Sequence, residues 1–338
     1  MMARPSVSAI MPAYNAAATI GEALTALRAA LRPGDELIVF DDGSSDITGA
    51  IASSGGARVL RNDGPPLGPA HGRNKAAAEA KGDLLFFVDA DVVIAPDALD
   101  RLLNAMTSAN GSAAFGSYDD QPRSHRAASL YMNLRHHHVH HQGRQEATTF
   151  WAGIGLIERR AFRSMSGFDA ELFATSSIED VELGMRLAQA GHRILLVPDA
   201  QGTHLKDWTL PQVWRTDIVK RALPWSRLIS QGKAAGADLN LARRERVNAA
   251  LALAVIPAAA LAVVRPQAAL ASAATVAAYV YRNRRFFAFL ARRMPLSKLP
   301  AAMAMHWCYH VYSSITFAVV AAAHQVGRPR ATSAQPKQ

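Results

Sequence analysis

The sequence has little cysteine and fewer acidic than basic residues. Its one cysteine, Cys308, excludes an intramolecular disulfide and fits a reducing compartment. No apolar leader precedes the first strand-like segment, so we expect the first part of the chain to stay in the cytoplasm. The Gly-x-Gly-x-x-Gly fingerprint of nicotinamide dehydrogenases is absent after that segment. Half of the 338 residues are hydrophobic and 19% are charged, which predicts a packed core and excludes global disorder.

The excess of basic residues, a formal net charge of +10, is concentrated in two places. Eight lysines and arginines lie between residues 215 and 246, and five arginines lie between 282 and 293. No stacking aromatics or groove-binding motif accompanies this charge, which argues against a nucleic-acid partner. Both clusters flank apolar stretches, as the positive-inside rule and anionic headgroups favour. We therefore expect the cytoplasmic (inner) membrane as partner and location, with residues 211–246 as basic interfacial helices.

The amino-terminal part alternates short apolar runs with segments of helical composition. Strands are predicted at residues 7–11, 36–40, 57–60 and 84–88, and helices at 16–30, 45–54 and 69–81. This alternation predicts an α/β domain over residues 1–210 with a doubly wound, mainly parallel sheet. Ligands of such sheets bind beyond the carboxyl ends of the strands. The polar residues after each strand are therefore the candidate site residues.

Two aspartates, Asp89 and Asp91, directly follow the fourth predicted strand. A bend there can direct both carboxylates at one ion, and oxygen ligands suit Mg²⁺ or Mn²⁺ completed by substrate phosphates and water. Such an ion would neutralise charge on a leaving diphosphate. An Asp-x-Asp pair can also cap a helix, but the preceding hydrophobic strand favours the metal interpretation.

The ends of the first two predicted strands are polar as well. Tyr14 and Asn15 follow the first, and Asp41 and Asp42 follow the second. The acidic side chains can accept hydrogen bonds from a nucleotide base or a ribose hydroxyl. The alternative is a plain turn in which Ser44 or Ser45 caps the next helix, and both roles are compatible.

Residues 68–75 open the third predicted helix and contain Arg73 and Lys75. Backbone N–H groups at a helix start attract phosphate, and these side chains would add positive charge. The alternative is an exposed basic helix face.

Further along, Asp180 lies in the acidic first turn of another predicted helix, and His204 follows a strand-like run at 194–197. Asp180 is interpreted either as a general base or as a charge that complements the helix dipole. His204 is a third metal ligand, a diphosphate contact or a structural histidine. Residues 136–141 contain five histidines, but nitrogen ligands conflict with an oxygen-rich site. We expect a polar or headgroup-facing helix there.

Three uncharged runs in the last third of the chain indicate membrane association: 247–264, 267–281 and 299–323. A crossing needs about 20 apolar residues, so the third run is long enough, the first marginal and the second short. The alternative is a buried hairpin or a re-entrant pair. Residues 247–326 are thus predicted as transmembrane or membrane-embedded helices, 282–293 as an interfacial amphipathic helix and 327–338 as a disordered tail.

Taken in order, these motifs resemble glycosyltransferase family 2, inverting enzymes with the GT-A fold. The resemblance covers residues 6 to about 206. The matching segments are 7–15, 41–46, 68–82, 89–91, 151–153, 159–162, 167–169 and 179–180.

The resemblance implies roles for individual residues. Pro12, Tyr14, Asp42 and Arg73 would contact the base and ribose of a nucleotide-sugar donor, and Asn15, Asp41 and Asp89 belong to the same donor-binding motifs. Asp91, with Asp89 nearby, would hold Mg²⁺ or Mn²⁺ and the diphosphate, and His204 is the candidate third ligand given above. Asp180 would be the catalytic base.

The resulting hypothesis is metal-dependent, inverting transfer from a UDP- or GDP-sugar to a hydroxyl of a lipid or lipid-linked acceptor. Residues 221–225 lack the Gln-x-x-Arg-Trp spacing of processive members, which favours single transfer. The alternatives are a polyprenyl-phosphate glycosyltransferase, whose phosphate acceptor needs no base, and a non-catalytic nucleotide-binding membrane protein.

Overall fold

A computed structural model describes residues 4–233 and 243–326, with the backbone alone at Arg243. The predicted tail at 327–338 and residues 234–242 of the predicted basic segment lie outside the described residues.

A mixed sheet forms the centre of the amino-terminal domain. Its strands are β1 (Val7–Ala13), β2 (Glu36–Asp41), β3 (Arg58–Arg61), β4 (Leu84–Val88), β5 (Val92–Ile94), β6 (Ala113–Tyr118), β7 (Glu146–Ala147), β8 (Ile154–Glu158) and β9 (Ile194–His204). Among the described residues its order is β3-β2-β1-β4-β8-β6-β9-β5, with β7 pairing to β9. The first four strands of this order are mutually parallel, and antiparallel pairs begin where β8 joins β4. The predicted α/β class and doubly wound arrangement are confirmed.

Helices cover both faces of this sheet. The first seven are α1 (Ile20–Ala30), α2 (Thr48–Ser54), α3 (Pro69–Glu79), α4 (Ala98–Ala109), α5 (Ala127–His140), α6 (Arg159–Ser164) and α7 (Glu179–Gln189). One core cluster joins α1 and α4 to one face, and a second joins α3, α6 and α7 to the other. In β4, Phe86 points into the first cluster, whereas Leu85 and Phe87 point into the second. A strand buried on both faces has to be apolar throughout, which explains the unbroken apolar runs.

A helical region follows the sheet. It contains α8 (Leu210–Arg215), a π-helical segment (Thr216–Ala222), α9 (Leu223–Ser230), α10 (Arg243–Val264), α11 (Ala269–Arg282), α12 (Arg284–Arg293) and α13 (Leu299–Val326). Helices α10 and α11 are joined by a short 3₁₀ turn and pack as a hairpin. Near the hairpin tip the apolar residues Val263, Val264 and Leu270 are exposed, on either side of a turn that contains Arg265.

Within the described residues, one helix is long and apolar enough to cross a membrane. It spans Arg244–Val264, and its most apolar 18 residues have a mean hydropathy of 2.3. Residues 299–323, expected to be long enough to cross, lie in α13, which is not apolar enough by the same measure. Helix α13 carries histidine, tyrosine and serine side chains, and His306 and His310 are buried against other helices.

Helix α12 has a protein partner for its apolar face. Phe286, Phe287 and Leu290 belong to a third core cluster that also contains Tyr131 and Leu134 of α5. The apolar face predicted to lie at a lipid interface is thus buried inside the protein. An amphipathic pattern indicates that a face is covered without specifying what covers it.

Candidate active site

The predicted site residues lie along the edge of the sheet at which β1, β2 and β4 end. Ala13 at the end of β1 pairs with Asp41 at the end of β2, so the loops that follow begin side by side. Pro12 lies within β1, and Tyr14, just beyond it, is half exposed. Asn15 adopts a positive φ of 47° and accepts hydrogen bonds from Ser45 N–H and Oγ at 2.9 and 3.2 Å. This residue joins the two loops.

The two aspartates after β2 have different surroundings. Asp41 is fully buried, accepts a hydrogen bond from Ser44 N–H at 3.0 Å and lies 3.4 Å from Arg61. This placement favours a turn-forming role. Asp42 accepts hydrogen bonds from Leu67 N–H at 2.9 Å and Gly68 N–H at 2.7 Å. Its carboxylate thereby fixes the loop that leads into α3.

Arg73 of α3 is buried and connects two parts of the site. Its guanidinium donates to Asp89 Oδ1 at 2.7 Å and to Glu179 Oε1 at 2.9 Å. Its Nε is buried and has no hydrogen-bond partner among the described residues. The sequence does not single out Glu179 as a partner, because 106 residues separate it from Arg73. Arg73 thus ties the end of β4 to the first turn of α7.

Asp89 and Asp91 follow β4, and about a third of each side chain is exposed (30% and 32%). Burial raises the pKa of Asp89, and the neighbouring Asp91 carboxylate adds to this effect against the opposing influence of Arg73. Burial would raise the pKa of Asp91 as well, but His204 and Lys206 outweigh it and hold that pKa below its usual range.

His204 ends β9 and lies beside this carboxylate pair. Its Nε2 is 3.4 Å from Asp91 Oδ2, and its Nδ1 is 2.8 Å from the side-chain oxygen of Asn133 on α5. The ring stacks on Tyr118 with centroids 4.3 Å apart and an interplanar angle of 6°. Asn133 and Tyr118 hold the imidazole in place. Sequence reasoning missed both, since neither is part of a motif.

Asp180 lies in the first turn of α7. Its Oδ2 accepts a hydrogen bond from Ala152 N–H at 3.0 Å, and its Oδ1 accepts one from Val181 N–H at 2.8 Å. Burial, aided by the adjacent Glu179, raises the pKa of Asp180 to about 7. A carboxylate with such a pKa can accept a proton near neutral pH.

The short segment 151–153 brings these groups together. Asp180 bonds to Ala152 N–H, and the backbone N–H of Asp89 donates to Gly153 O at 3.3 Å. Arg73 bonds to Asp89 and to Glu179, the residue next to Asp180. The structure therefore places Asp89, Asp91, His204, Arg73 and Asp180 around one site.

Two of the five histidines in the histidine-rich segment lie in the protein interior. His137 and His140 are buried, and their Nδ1 atoms are 2.9 Å from the carbonyl oxygens of Tyr118 and Gly116. Burial lowers the pKa of His140 to about 4. The expected polar or headgroup-facing helix is thus wrong at these two histidines, which pack α5 against β6.

The side-chain atoms of this site are suitable ligands for a divalent ion. Asp89 and Asp91 offer partly exposed oxygen atoms, and His204 offers a ring nitrogen next to Asp91. Oxygen-rich ligands of this kind suit Mg²⁺ or Mn²⁺. Across residues 4–233 and 243–326, no group of three His, Cys, Asp or Glu side chains is already arranged as a metal site. The residues fit such an ion by their chemistry, in the manner of sites completed by substrate phosphates.

Comparisons with known proteins show what this chain is similar to. The model of the family "Glycosyl transferase family 2" matches residues 8–165. The O-antigen chain rhamnosyltransferase WbaN of Salmonella anatum is 25% identical over 239 residues, which is 65% of this chain and 74% of that protein. The Escherichia coli UDP-Glc:alpha-D-GlcNAc-diphosphoundecaprenol beta-1,3-glucosyltransferase WfgD is 33% identical over 116 residues, 33% of this chain and 46% of that protein.

A solved structure shows the same fold. The mannosyltransferase PcManGT from Pyrobaculum calidifontis, in complex with GDP-Man and Mn²⁺, has a TM-score of 0.55 at 20% identity, over 96% of this chain and 88% of that one. The chain spans only 42%, 48% and 44% of the length of three further curated relatives. The likeness to the PcManGT structure shows a shared fold, and residues 8–165 of the chain are similar to glycosyltransferase family 2.

Proposed function

We propose that this protein is a metal-dependent, inverting glycosyltransferase that transfers a sugar from a nucleotide-sugar donor to a hydroxyl of a lipid or lipid-linked acceptor. The proposal is carried by the contacts of segment 151–153, where Ala152 N–H bonds to Asp180 and Gly153 O accepts a hydrogen bond from Asp89 N–H. Arg73 also links the two sides of the site, since it bonds to Asp89 and to Glu179, the residue next to Asp180. A donor-diphosphate site and a general base are thereby on either side of one short loop.

Pro12, Tyr14, Asn15 and Asp42 lie on the loops that would hold the nucleotide. Asp89, Asp91 and His204 would hold Mg²⁺ or Mn²⁺, whose charge stabilises the leaving diphosphate. Arg73 orients the Asp89 carboxylate through a 2.7 Å ion pair and keeps water from a largely buried wall of the site. The same arginine positions α7, and with it Asp180.

The reaction follows from the position of Asp180. Its carboxylate takes the proton of the acceptor hydroxyl while the hydroxyl oxygen forms a bond to the anomeric carbon. The bond from that carbon to the diphosphate oxygen breaks, and its electron pair leaves with the nucleoside diphosphate. A single displacement of this kind inverts the anomeric centre. The pKa of about 7 at Asp180 supports the role of base, and hence a hydroxyl acceptor over a lipid phosphate.

The relatives support the substrate classes. The name of WfgD gives UDP-Glc as donor and a diphosphoundecaprenol-linked sugar as acceptor, and PcManGT was solved with GDP-Man and Mn²⁺. We propose a UDP- or GDP-sugar donor and a lipid-linked acceptor for this chain. The apolar helix Arg244–Val264 and the flanking arginines support attachment to the cytoplasmic membrane with the catalytic domain on the cytoplasmic side.

The test uses the full chain in detergent with a panel of UDP- and GDP-sugars and either Mg²⁺ or Mn²⁺. We expect release of the nucleoside diphosphate from at least one donor, faster when a lipid-linked acceptor is added. Asp91→Ala should abolish this release, whereas Asp100→Ala, which changes a half-exposed aspartate of α4 paired with Arg32, should not. Release that is equal in the parent and in Asp91→Ala would refute the proposal.

A further inference from the structure

A cavity of about 250 Å³ lies at the base of the α10–α11 hairpin, away from the nucleotide-sugar site. Helices α5, α12 and α13 complete its walls. At about 30 Å³ per water molecule it has room for roughly eight waters, more than one phosphate group occupies. Five arginines line it, against a single carboxylate, that of Glu245.

The charges around this cavity do not balance. Arg135 is paired with Asp217 through two bonds of 2.8 and 2.9 Å, and Arg244 lies 3.0 Å from Glu245. Three arginines, Arg282, Arg284 and Arg285, lie at the junction of α11 and α12. None of them has a carboxylate partner among the described residues. An excess of positive charge therefore remains at this junction.

The partners of the three junction arginines are weak or absent. Arg282 Nε donates to Asn248 Oδ1 at 2.9 Å, and Arg284 Nη1 donates to Tyr281 O at 2.9 Å while stacking on that ring. In the described part of the chain, Arg285 has neither a hydrogen bond nor an ion pair. Most of their N–H donors are thus free to meet a ligand.

The floor of the cavity is polar and fixed. Asn248 and Asn283 are 2% and 5% exposed, and Asn248 Nδ2 donates to Asn283 Oδ1 at 3.2 Å. Asn283 Nδ2 in turn donates to Tyr279 O at 2.9 Å, and His306 Nε2 lies 3.2 Å from Asn283 Oδ1. Buried amides held in this way fix the helix ends that carry the arginines, so little ordering is needed on binding.

The cavity lies where lipid headgroups would be if the hairpin is inserted. Asn248 is near the start of α10, and Arg282 ends α11, whereas the exposed apolar residues Val263 and Leu270 are at the opposite end of the hairpin. A helix of 22 residues is about 33 Å long, close to the thickness of the hydrocarbon core. The arginines are therefore at the level of the phosphates.

We propose that this cavity binds the phosphate of an anionic membrane lipid headgroup through the arginines at the junction of α11 and α12. Guanidinium groups bind phosphate oxygens through paired, charge-assisted hydrogen bonds. That this phosphate belongs to a lipid rests on the membrane attachment in the proposed function. The binding itself involves neither the donor nor Asp180.

The chain contains a matched control for the test. Arg285 and Arg292 are both exposed residues of α12, and neither has a hydrogen bond or ion pair among the described residues. They are seven residues apart, so they lie on nearly the same helix face. Arg285 lines the cavity, whereas Arg292 does not. Arg285→Gln and Arg292→Gln therefore remove the same charge at two places on one face.

The experiment measures binding of the full chain to vesicles of phosphatidylcholine alone and of phosphatidylcholine mixed equally with phosphatidylglycerol, without donor or metal. Native mass spectrometry of the detergent-purified protein counts the phosphatidylglycerol molecules retained. We expect Arg285→Gln to weaken phosphatidylglycerol binding by about tenfold, the effect of one charge-assisted hydrogen bond. Arg292→Gln should bind as the parent does. Arg284→Gln provides a second cavity variant, and circular dichroism verifies folding.

Each outcome bears on the proposal. Equal losses in Arg285→Gln and Arg292→Gln would show general attraction of a basic surface and would overturn it. So would retention of inorganic phosphate or pyrophosphate in place of phosphatidylglycerol, since the site would then take a soluble anion. Because donor turnover is measured separately, an inactive transferase that still retains phosphatidylglycerol refutes the proposed function and leaves the lipid site standing.

Discussion

At Asp180, two local effects act in opposite directions. Burial and the neighbouring Glu179 favour the neutral acid, while Arg73 and the backbone N–H groups of Ala152 and Val181 favour the charged carboxylate. The first effect is larger, and the pKa rises to about 7. At a solvated helix cap the N–H bonds would instead lower the pKa. The raised value therefore favours the role of a base.

The pH dependence of transfer follows from this value. Below about pH 7 the Asp180 carboxyl is protonated and cannot accept the acceptor's proton, so the rate should rise with pH through that value. Asp180→Asn should lower kcat by about 10²–10⁴, the usual contribution of a general base, and should remove this pH dependence. Initial-rate kinetics between acid and alkaline pH, with saturating donor, provide the measurement.

Nucleotide affinity supplies the control for that variant. Asp180→Asn keeps the shape of the side chain and should bind the donor nucleotide as the parent does. Strongly weakened nucleotide binding would place Asp180 in the donor site. An unchanged kcat would favour a phosphate acceptor, which needs no base.

Arg73 is the residue on which the order of the site depends most. Arg73→Gln should lower the free energy of unfolding by about 3–5 kcal/mol, because it leaves the buried Glu179 carboxylate without its partner. Arg58→Gln is the matched control: it breaks the Arg58–Glu79 pair, whose side chains are 46% and 54% exposed, and should cost less than about 1 kcal/mol. Urea titrations in detergent compare the two.

A double variant separates the buried charge from the other effects of Arg73. Arg73→Gln combined with Glu179→Gln should recover part of the loss, since no uncompensated charge then remains. A double variant less stable than Arg73→Gln alone would contradict this explanation.

The metal prediction concerns Asp89 and Asp91. Chelation by EDTA should abolish transfer, and added Mn²⁺ or Mg²⁺ should restore it, because the two carboxylates alone would repel the donor diphosphate. Asp91→Ala should lose metal-dependent nucleotide binding together with turnover, as calorimetry with and without Mn²⁺ would show. Full activity in the presence of EDTA would contradict the assignment.

At the scale of elements, the sequence predicts the parallel strands well and the partners of the helices poorly. Residues 84–88 are apolar throughout because both faces of β4 are covered, so the strand is visible in the sequence alone. The amphipathic pattern of α12 is equally visible, but its apolar face could be covered by a lipid surface as well as by the side chains of α5. The pairing of Arg73 with Glu179 could not be predicted from the sequence either, because only the fold brings these two distant residues together.

The α10–α11 hairpin is the element that we expect to hold the protein in the membrane. Ile256, 45% exposed and near the middle of α10, would face lipid. An aspartate at a helix centre costs about 3 kcal/mol on insertion scales, so Ile256→Asp should move a large fraction of the protein out of the membrane fraction. Ile47→Asp, at a 66% exposed position of the catalytic domain, is the control and should not. Equal distributions of the two variants after membrane flotation would refute the hairpin as anchor.

At the scale of the whole molecule, α5 connects the catalytic domain to the carboxy-terminal helices. Its Asn133 contacts the imidazole of His204, while Arg135 bonds to Asp217 of the π-helical segment. The hydroxyl of Tyr312 on α13 donates to the same carboxylate at 2.5 Å. One ion pair thus joins three elements.

Removal of residues 247–338 tests how independent the catalytic domain is. The deletion removes Phe286, Phe287 and Leu290, and so uncovers the buried side chains of Tyr131 and Leu134. Although it also removes the apolar hairpin, the truncated chain should aggregate in buffer without detergent, because an exposed apolar patch drives association.

Size-exclusion chromatography with and without detergent would show this aggregation, and Leu130→Gln with Leu134→Gln should reduce it in the truncated chain. These two leucines belong to the uncovered cluster on α5, so polar side chains there replace apolar surface with hydrated surface. A truncated chain that elutes as a monomer without detergent and binds nucleotide as the full protein does would show that the catalytic domain folds independently. The α5 contacts would then serve only to dock the domain on its membrane helices.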